Sequence, residues 1–224
     1  MQFYVHDFNG AYHGIQSKFQ QQWNELKNTL HNMPLYLKKS DQAKKKTQLI
    51  FDPVGTNQYI KDKLTQKYWN SSIPLPQNFK YFGKHIDFGK GNVFLEVQFS
   101  NYPFLLNNTV RSEVFYQAKE PINQHQVKII VILTKVQKLP AANSTLYFEQ
   151  AKQQLIEIEK YKIVDIPIRL LGLYELENQN IKAIFSEYKK ASSREVNKRE
   201  EINCQLNPGS KKNSSSTIQT YSFT

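Results

Sequence analysis

The run VKIIVILT, residues 127–134, constrains the fold of this chain more than any other stretch. It is aliphatic on both faces, so as a strand it needs cover on two sides, which is what crossover helices give a parallel or mixed sheet. Its centre, IIVIL at 129–133, is far too short to span a bilayer. A helical pattern precedes it in YPFLLNNTVRSEVFYQA (102–118), and another follows in NSTLYFEQAKQQLIEIEKY (143–161), where Asn143 or Ser144 is the expected cap. VDIPIRLLGLY (164–174) then reads as a further strand. Strands alternating with helices predict an α/β core, a mixed β-sheet flanked by helices.

Upstream, Phe19, Trp23, Leu26 and Leu30 recur at helical spacing between Gln16 and Asn32, and Pro34 closes the pattern. KKSDQAKKK (38–46) reads as a basic loop or helix entry, either gripping phosphates or merely solvated. TNQYIKDKLTQKYW (56–69) reads as a second helix, followed by the turn-rich NSSIPLPQN (70–78). After Asn178 the patterning weakens into the charged SEYKKASSREVNKREE (186–201) and a loop or arm ending in a marginal edge strand. The chain therefore divides into an α/β core, residues 1–178, and a basic C-terminal segment, 179–224, belonging to the same domain.

Thirty Lys and Arg against nineteen Asp and Glu leave a net charge of +11, which favours polyanionic partners such as nucleic acid. The single cysteine, Cys204, excludes an internal disulfide and a cysteine-based zinc site, and suits a reducing cytoplasm. The N-terminus has no signal-peptide pattern, so a cytoplasmic, membrane-free protein is expected. There is no Walker-type loop and no G-x-S-x-G elbow, and His6, His13, His31, His85 and His125 are scattered without metal-ligand spacing.

The stretch IDFGKGNVFLEVQFSN (86–101) carries the chemistry. It reads as a hairpin whose second strand turns Val93, Leu95, Val97 and Phe99 one way and Glu96 and Gln98 the other. A four-residue loop GKGN, pairing Phe88 with Val93, puts Asp87 diagonal to Glu96 on the polar face. Two carboxylates and a main-chain oxygen such as that of Val97 form a hard-oxygen set suited to magnesium. Gln98 can orient a water but cannot take its proton. The same pattern also fits the wet face of a two-stranded edge. Asn143 has the amide that pairs with adenine, Ser144 can donate to a base edge or phosphate, and Arg194 can reach guanine, although taken alone Asn143 and Ser144 read first as helix caps and Arg194 as a solvated charge.

LIFDPVGTNQYIKDKL (49–64), IDFGK with LEVQFSNYPFLLNNTVRSE (86–113), PAANSTLYFEQA (140–151) and VDIPIRLLGL (164–173) closely resemble the BglII family of type II restriction endonucleases, within the PD-(D/E)XK nucleases. The resemblance implies a restriction-endonuclease core, a homodimer joined through helices, and magnesium-dependent cutting of both strands of DNA at a GATC-centred palindrome. AGATCT with 5′-GATC overhangs is the parent case, and a cognate methyltransferase is the implied companion. Carried over, Asp87 and Glu96 match the metal-binding carboxylates, Val97 the main-chain ligand, and Gln98 the place where the wider superfamily uses lysine. Ser100, Asn101, Asn143 and Ser144 match base-reading positions, and Arg194 the major-groove arginine. Ser192 stands where the family carries tyrosine, and Asn70, Ser71 and Ser72 depart from an asparagine-rich stretch. A DNA-binding protein that kept the core but lost cleavage is the competing reading.

Overall fold

The computed structural model describes residues 1–42, 46–141, 145–190, 193–210 and 214–221. Its centre is a six-stranded mixed sheet in the order β1-β8-β7-β6-β5-β4. Strand β7 (Ile129–Lys135) is buried along its whole length, as its two-sided apolar sequence requires. It pairs in parallel with β6 (Val93–Val97) on one side and β8 (Ile168–Tyr174) on the other. Antiparallel strands complete both ends: β1 (Gln2–Phe8) on β8, and β5 (His85–Lys90) followed by β4 (Asn70–Pro74) beyond β6. Helix α4 (Pro103–Ala118) links β6 to β7, and α5 (Phe148–Lys160) links β7 to β8, the crossovers that parallel neighbours need. Among the described helices none is long and apolar enough to cross a membrane.

The N-terminal helical pattern is broken in two, α1 (Ala11–Lys18) and α2 (Gln20–His31), because Phe19 leaves the helical region at φ −124°. Helix α3 (Pro53–Thr65) starts earlier than its apolar periodicity suggests, since buried Asp52 caps it by accepting from the Val54 N–H at 3.1 Å and Pro53 fits the first turn. Helix α5 starts at Phe148, with no side-chain cap bond at Tyr147. The expected caps Asn143 and Ser144 lie outside the described residues, and the helix begins too late for either to cap it.

A second sheet was not anticipated. Its order is β11-β10-β9-β2-β3, built from β2 (Leu35–Lys39), β3 (Leu49–Phe51), β9 (Asn180–Tyr188), β10 (Val196–Asn207) and β11 (Thr217–Tyr221). The charged C-terminal stretch is thus largely strand rather than loop. On β10 the run from Asn197 to Glu201 is exposed, so nothing apolar marks it; antiparallel pairing with β9 and the parallel pairing of β9 with β2 decide the structure. Within KKSDQAKKK, Lys38 and Lys39 belong to β2, and residues 43–45 lie outside the described set.

Candidate active site

The hairpin that carries the acidic residues has a tighter turn than GKGN. Gly89 and Lys90 stay in β5, leaving Gly91 and Asn92 as a two-residue loop, with Gly91 at φ +58°, a conformation glycine adopts without strain. Lys90 is held in place by its Nζ, which donates to both Glu25 oxygens at 2.7 and 2.9 Å and to the Lys67 carbonyl at 2.8 Å. Phe88 consequently faces Leu95, not Val93. Extended by one residue beyond the last paired rung, this register brings Asp87 level with Glu96 instead of diagonal to it.

The expectation of a wet polar face fails for Glu96. Strand β6 lies inside the sheet, between β5 and β7, so neither of its faces belongs to a two-stranded edge. Glu96 is 2% exposed, and its Oε1 accepts from Nη2 of Arg111, a buried arginine on α4. Arg111 Nη1 also donates to the Phe82 carbonyl at 3.4 Å. Burial pushes the Glu96 carboxyl up to about 8, with Arg111 opposing the rise and the neighbouring Asp87 adding to it. Asp87 keeps contact with solvent. Its Oδ2 accepts from the Val97 N–H at 2.8 Å, and its Oδ1 lies 3.9 Å from His85 Nε2.

Asp87 and Val97 open onto a cleft of about 530 Å³. Ser100 and Arg194 share it, so one base-reading candidate and the C-terminal arginine converge on the acidic residues. The opposite wall is α3, which presents Asn57, Gln58 and Lys61 on successive turns, and Ser71 and Ser72 line it from β4. Gln98 stands half-buried one residue beyond β6, its main-chain N–H donating to the Leu133 carbonyl at 2.8 Å. Asn101 is exposed beside Thr145, whose Oγ1 is 3.5 Å from Asn101 Oδ1. Asn143, Ser144 and Ser192 lie outside the described residues.

Sequence reasoning missed Arg111 and the α3 wall. Arg111 comes from a helix that follows β6 by a turn, and no local spacing links it to Glu96. Helix α3 was recognised, but nothing in its periodicity said that its polar face would meet the hairpin.

Among the described residues no group of three or more His, Cys, Asp or Glu side chains could hold a metal ion. What the hairpin brings together is two carboxylates, Asp87 and Glu96, with the Val97 main chain against Asp87. That set fits magnesium, a cation that keeps several waters and completes its shell from substrate phosphate. The partly unneutralised pair of Glu96 and Asp87 is also a setting in which a cation relieves repulsion.

Comparison with known proteins gives a consistent result. The family model "Restriction endonuclease BglII/BglIII" matches residues 3–173. The type II restriction enzyme BglII of Bacillus subtilis is 47% identical over 206 residues, covering 90% of this chain and 92% of that protein. A crystal structure of restriction endonuclease BglII complexed with a DNA 16-mer superposes with a TM-score of 0.93 at 44% identity, covering 99% of this chain and all of that one. A crystal structure of free BglII gives 0.77 at 42% identity with the same coverage. The acidic cleft, the mixed sheet that carries it and these matches together establish that the chain belongs to the BglII/BglIII family of type II restriction endonucleases.

Proposed function

We propose that this protein hydrolyses both strands of double-stranded DNA at a palindromic GATC-centred site, AGATCT, leaving 5′-GATC overhangs in a magnesium-dependent reaction. The observation that carries this reading is the convergence of Asp87, Val97, Ser100 and Arg194 on one cleft with Glu96 directly behind it. Magnesium, when bound, supplies neutralisation of charge on the phosphodiester and a lowered pKa for water. Asp87, fixed by the Val97 N–H, and Glu96, fixed by Arg111, would hold it together with the Val97 carbonyl. The Gln98 amide orients the attacking water and cannot act as the base. Lys61 and Asn57, on the far wall, hold the phosphate backbone against the carboxylates. Ser100, Asn101, Asn143, Ser144 and Arg194 read base edges, while the net charge of +11 supplies salt-sensitive affinity for any DNA.

A palindrome calls for a two-fold protein. Helix α4 exposes Leu106 and Val110, one turn apart on the same face and at 42% and 52%, an apolar strip that supports a homodimer through this helix. Such an enzyme acts in the cytoplasm beside a methyltransferase that protects the same site. Digestion of plasmid with magnesium and mapping of the fragment ends tests the whole reading: discrete fragments with 5′-GATC ends are expected, and Asp87→Asn or Glu96→Gln should bind the same site without cutting. Uncut plasmid with folded protein, or smeared products, would overturn it. Specific retardation in a gel without any nicking would point to a binding protein on a nuclease core.

A further inference from the structure

Lys135, at the end of β7, is buried to 1% exposure and has no part in the cleavage chemistry described above. Its Nζ donates to the main-chain oxygen of Phe99 at 3.0 Å and of Leu146 at 3.1 Å, and lies 4.6 Å from the centroid of the Tyr147 ring. These acceptors belong to two different segments. Residues 99–102 leave the catalytic strand β6 and carry Ser100 and Asn101; residues 145–147 lead into α5. The segments are laced to each other as well: the Ser100 carbonyl accepts from the Thr145 and Leu146 N–H groups at 3.2 and 3.0 Å, and Thr145 Oγ1 accepts from the Tyr102 N–H at 3.3 Å.

A buried ammonium is costly unless hydrogen bonds and an aromatic face replace its hydration. An apolar side chain of similar length would fill the same volume without that cost, but it could not fix the positions of two carbonyl oxygens. Burial also brings the Lys135 pKa down to about 7, in keeping with a site cut off from water. Hydrogen-bond readout of a base edge fades within a few tenths of an ångström and with modest tilt, so the spacing of the two segments governs discrimination.

We propose that Lys135 is a positioning residue for base recognition: by pinning the Phe99 and Leu146 carbonyls it sets the segment carrying Ser100 and Asn101 against the segment leading into α5, and so sets how sharply the enzyme separates its own site from one altered by a single base pair. The inference rests on the proposed base-reading role of Ser100 and Asn101. Its test is kcat/KM for the full-length protein on two duplexes, one with the cognate site and one with a single inner base pair changed, for wild type, Lys135→Met and Lys135→Gln. Unfolded molecules cut neither duplex, so a purely structural defect lowers both rates and leaves their ratio alone. The ratio is expected to fall roughly tenfold or more in Lys135→Met, about the worth of one well-placed base contact, and less in Lys135→Gln, which keeps a donor. An unchanged ratio overturns the proposal, as does failure of both variants to fold, which would make Lys135 a folding residue only. Absence of site-specific cutting by the wild type would instead refute the proposed function.

Discussion

The pair formed by Arg111 and Glu96 lies almost wholly out of water, with side chains 8% and 2% exposed, and Arg111→Met isolates what it does. Methionine fills most of the volume and removes the charge. Glu96 is then left beside Asp87 without the cation that opposes the effect of burial, so its pKa moves further above about 8. A carboxyl raised from 4.5 to about 8 by folding contributes stability that is fully present below 4.5 and is lost as the pH rises through about 8. At about pH 6 Glu96 is therefore mostly protonated in both proteins, and the substitution forfeits a hydrogen bond from a charged donor to a neutral acceptor, roughly 1–2 kcal/mol. At about pH 9 the wild-type pair is ionised, whereas the variant must bury a lone carboxylate or hold a proton against the solution, roughly 3–5 kcal/mol. For a domain of this size each kcal/mol moves Tm by roughly 2–4 °C. Urea unfolding followed by tryptophan fluorescence at the two pH values measures both losses. Equal losses, or a loss under about 1 kcal/mol at the higher pH, would refute the reasoning. The double variant Arg111→Met/Glu96→Leu removes both charges and should regain most of the lost stability.

Three further outcomes are expected. In Gly172→Ala the new Cβ would stand 2.5 Å from both Cβ and Cγ of Phe148, forcing α5 away from β8, and thermal unfolding should register a loss of roughly 2 kcal/mol or more. Tyr188→Phe deletes the hydroxyl that donates to Asp52 Oδ2 at 2.7 Å, leaving a fully buried carboxylate oxygen one donor short; denaturant titration should show roughly 1–3 kcal/mol lost. Val110→Asp puts a charge on the exposed apolar face of α4, and sedimentation at micromolar concentration should find monomers that nick DNA poorly; a dimer as tight as the wild type would place the interface elsewhere.

Much of the central sheet was legible because its signals are local. VKIIVILT is apolar on both faces and became β7, and the helices on either side of it became its crossovers α4 and α5. The hairpin was legible in outline, since the expected four-residue loop and the observed two-residue loop differ by an even step and so keep Asp87 and Glu96 on one face. The loop length was not, because Gly89 and Lys90 are kept in β5 by packing and by Glu25, which lies far away in sequence. The burial of Glu96 was hidden for a similar reason: only the tertiary pairing of β6 with β7 and the approach of Arg111 convert a wet face into an interior one. The second sheet was invisible because β10 is largely polar, and the strand it pairs with, β9, is held in turn by β2 from the other end of the chain.

The parallel pairing of β2 with β9, Leu35 beside Ala183, has a consequence for biosynthesis. Every strand of the first sheet has been translated once Tyr174 is made, whereas β2 gains its parallel neighbour only when β9 follows. Contacts this distant in sequence form slowly. Arg194 sits on the connection between β9 and β10, so a nascent chain that stops short of it lacks that residue of the cleft lining. The cleft is therefore fully lined only once the chain has been made as far as Arg194, well after the strands that carry Asp87 and Val97.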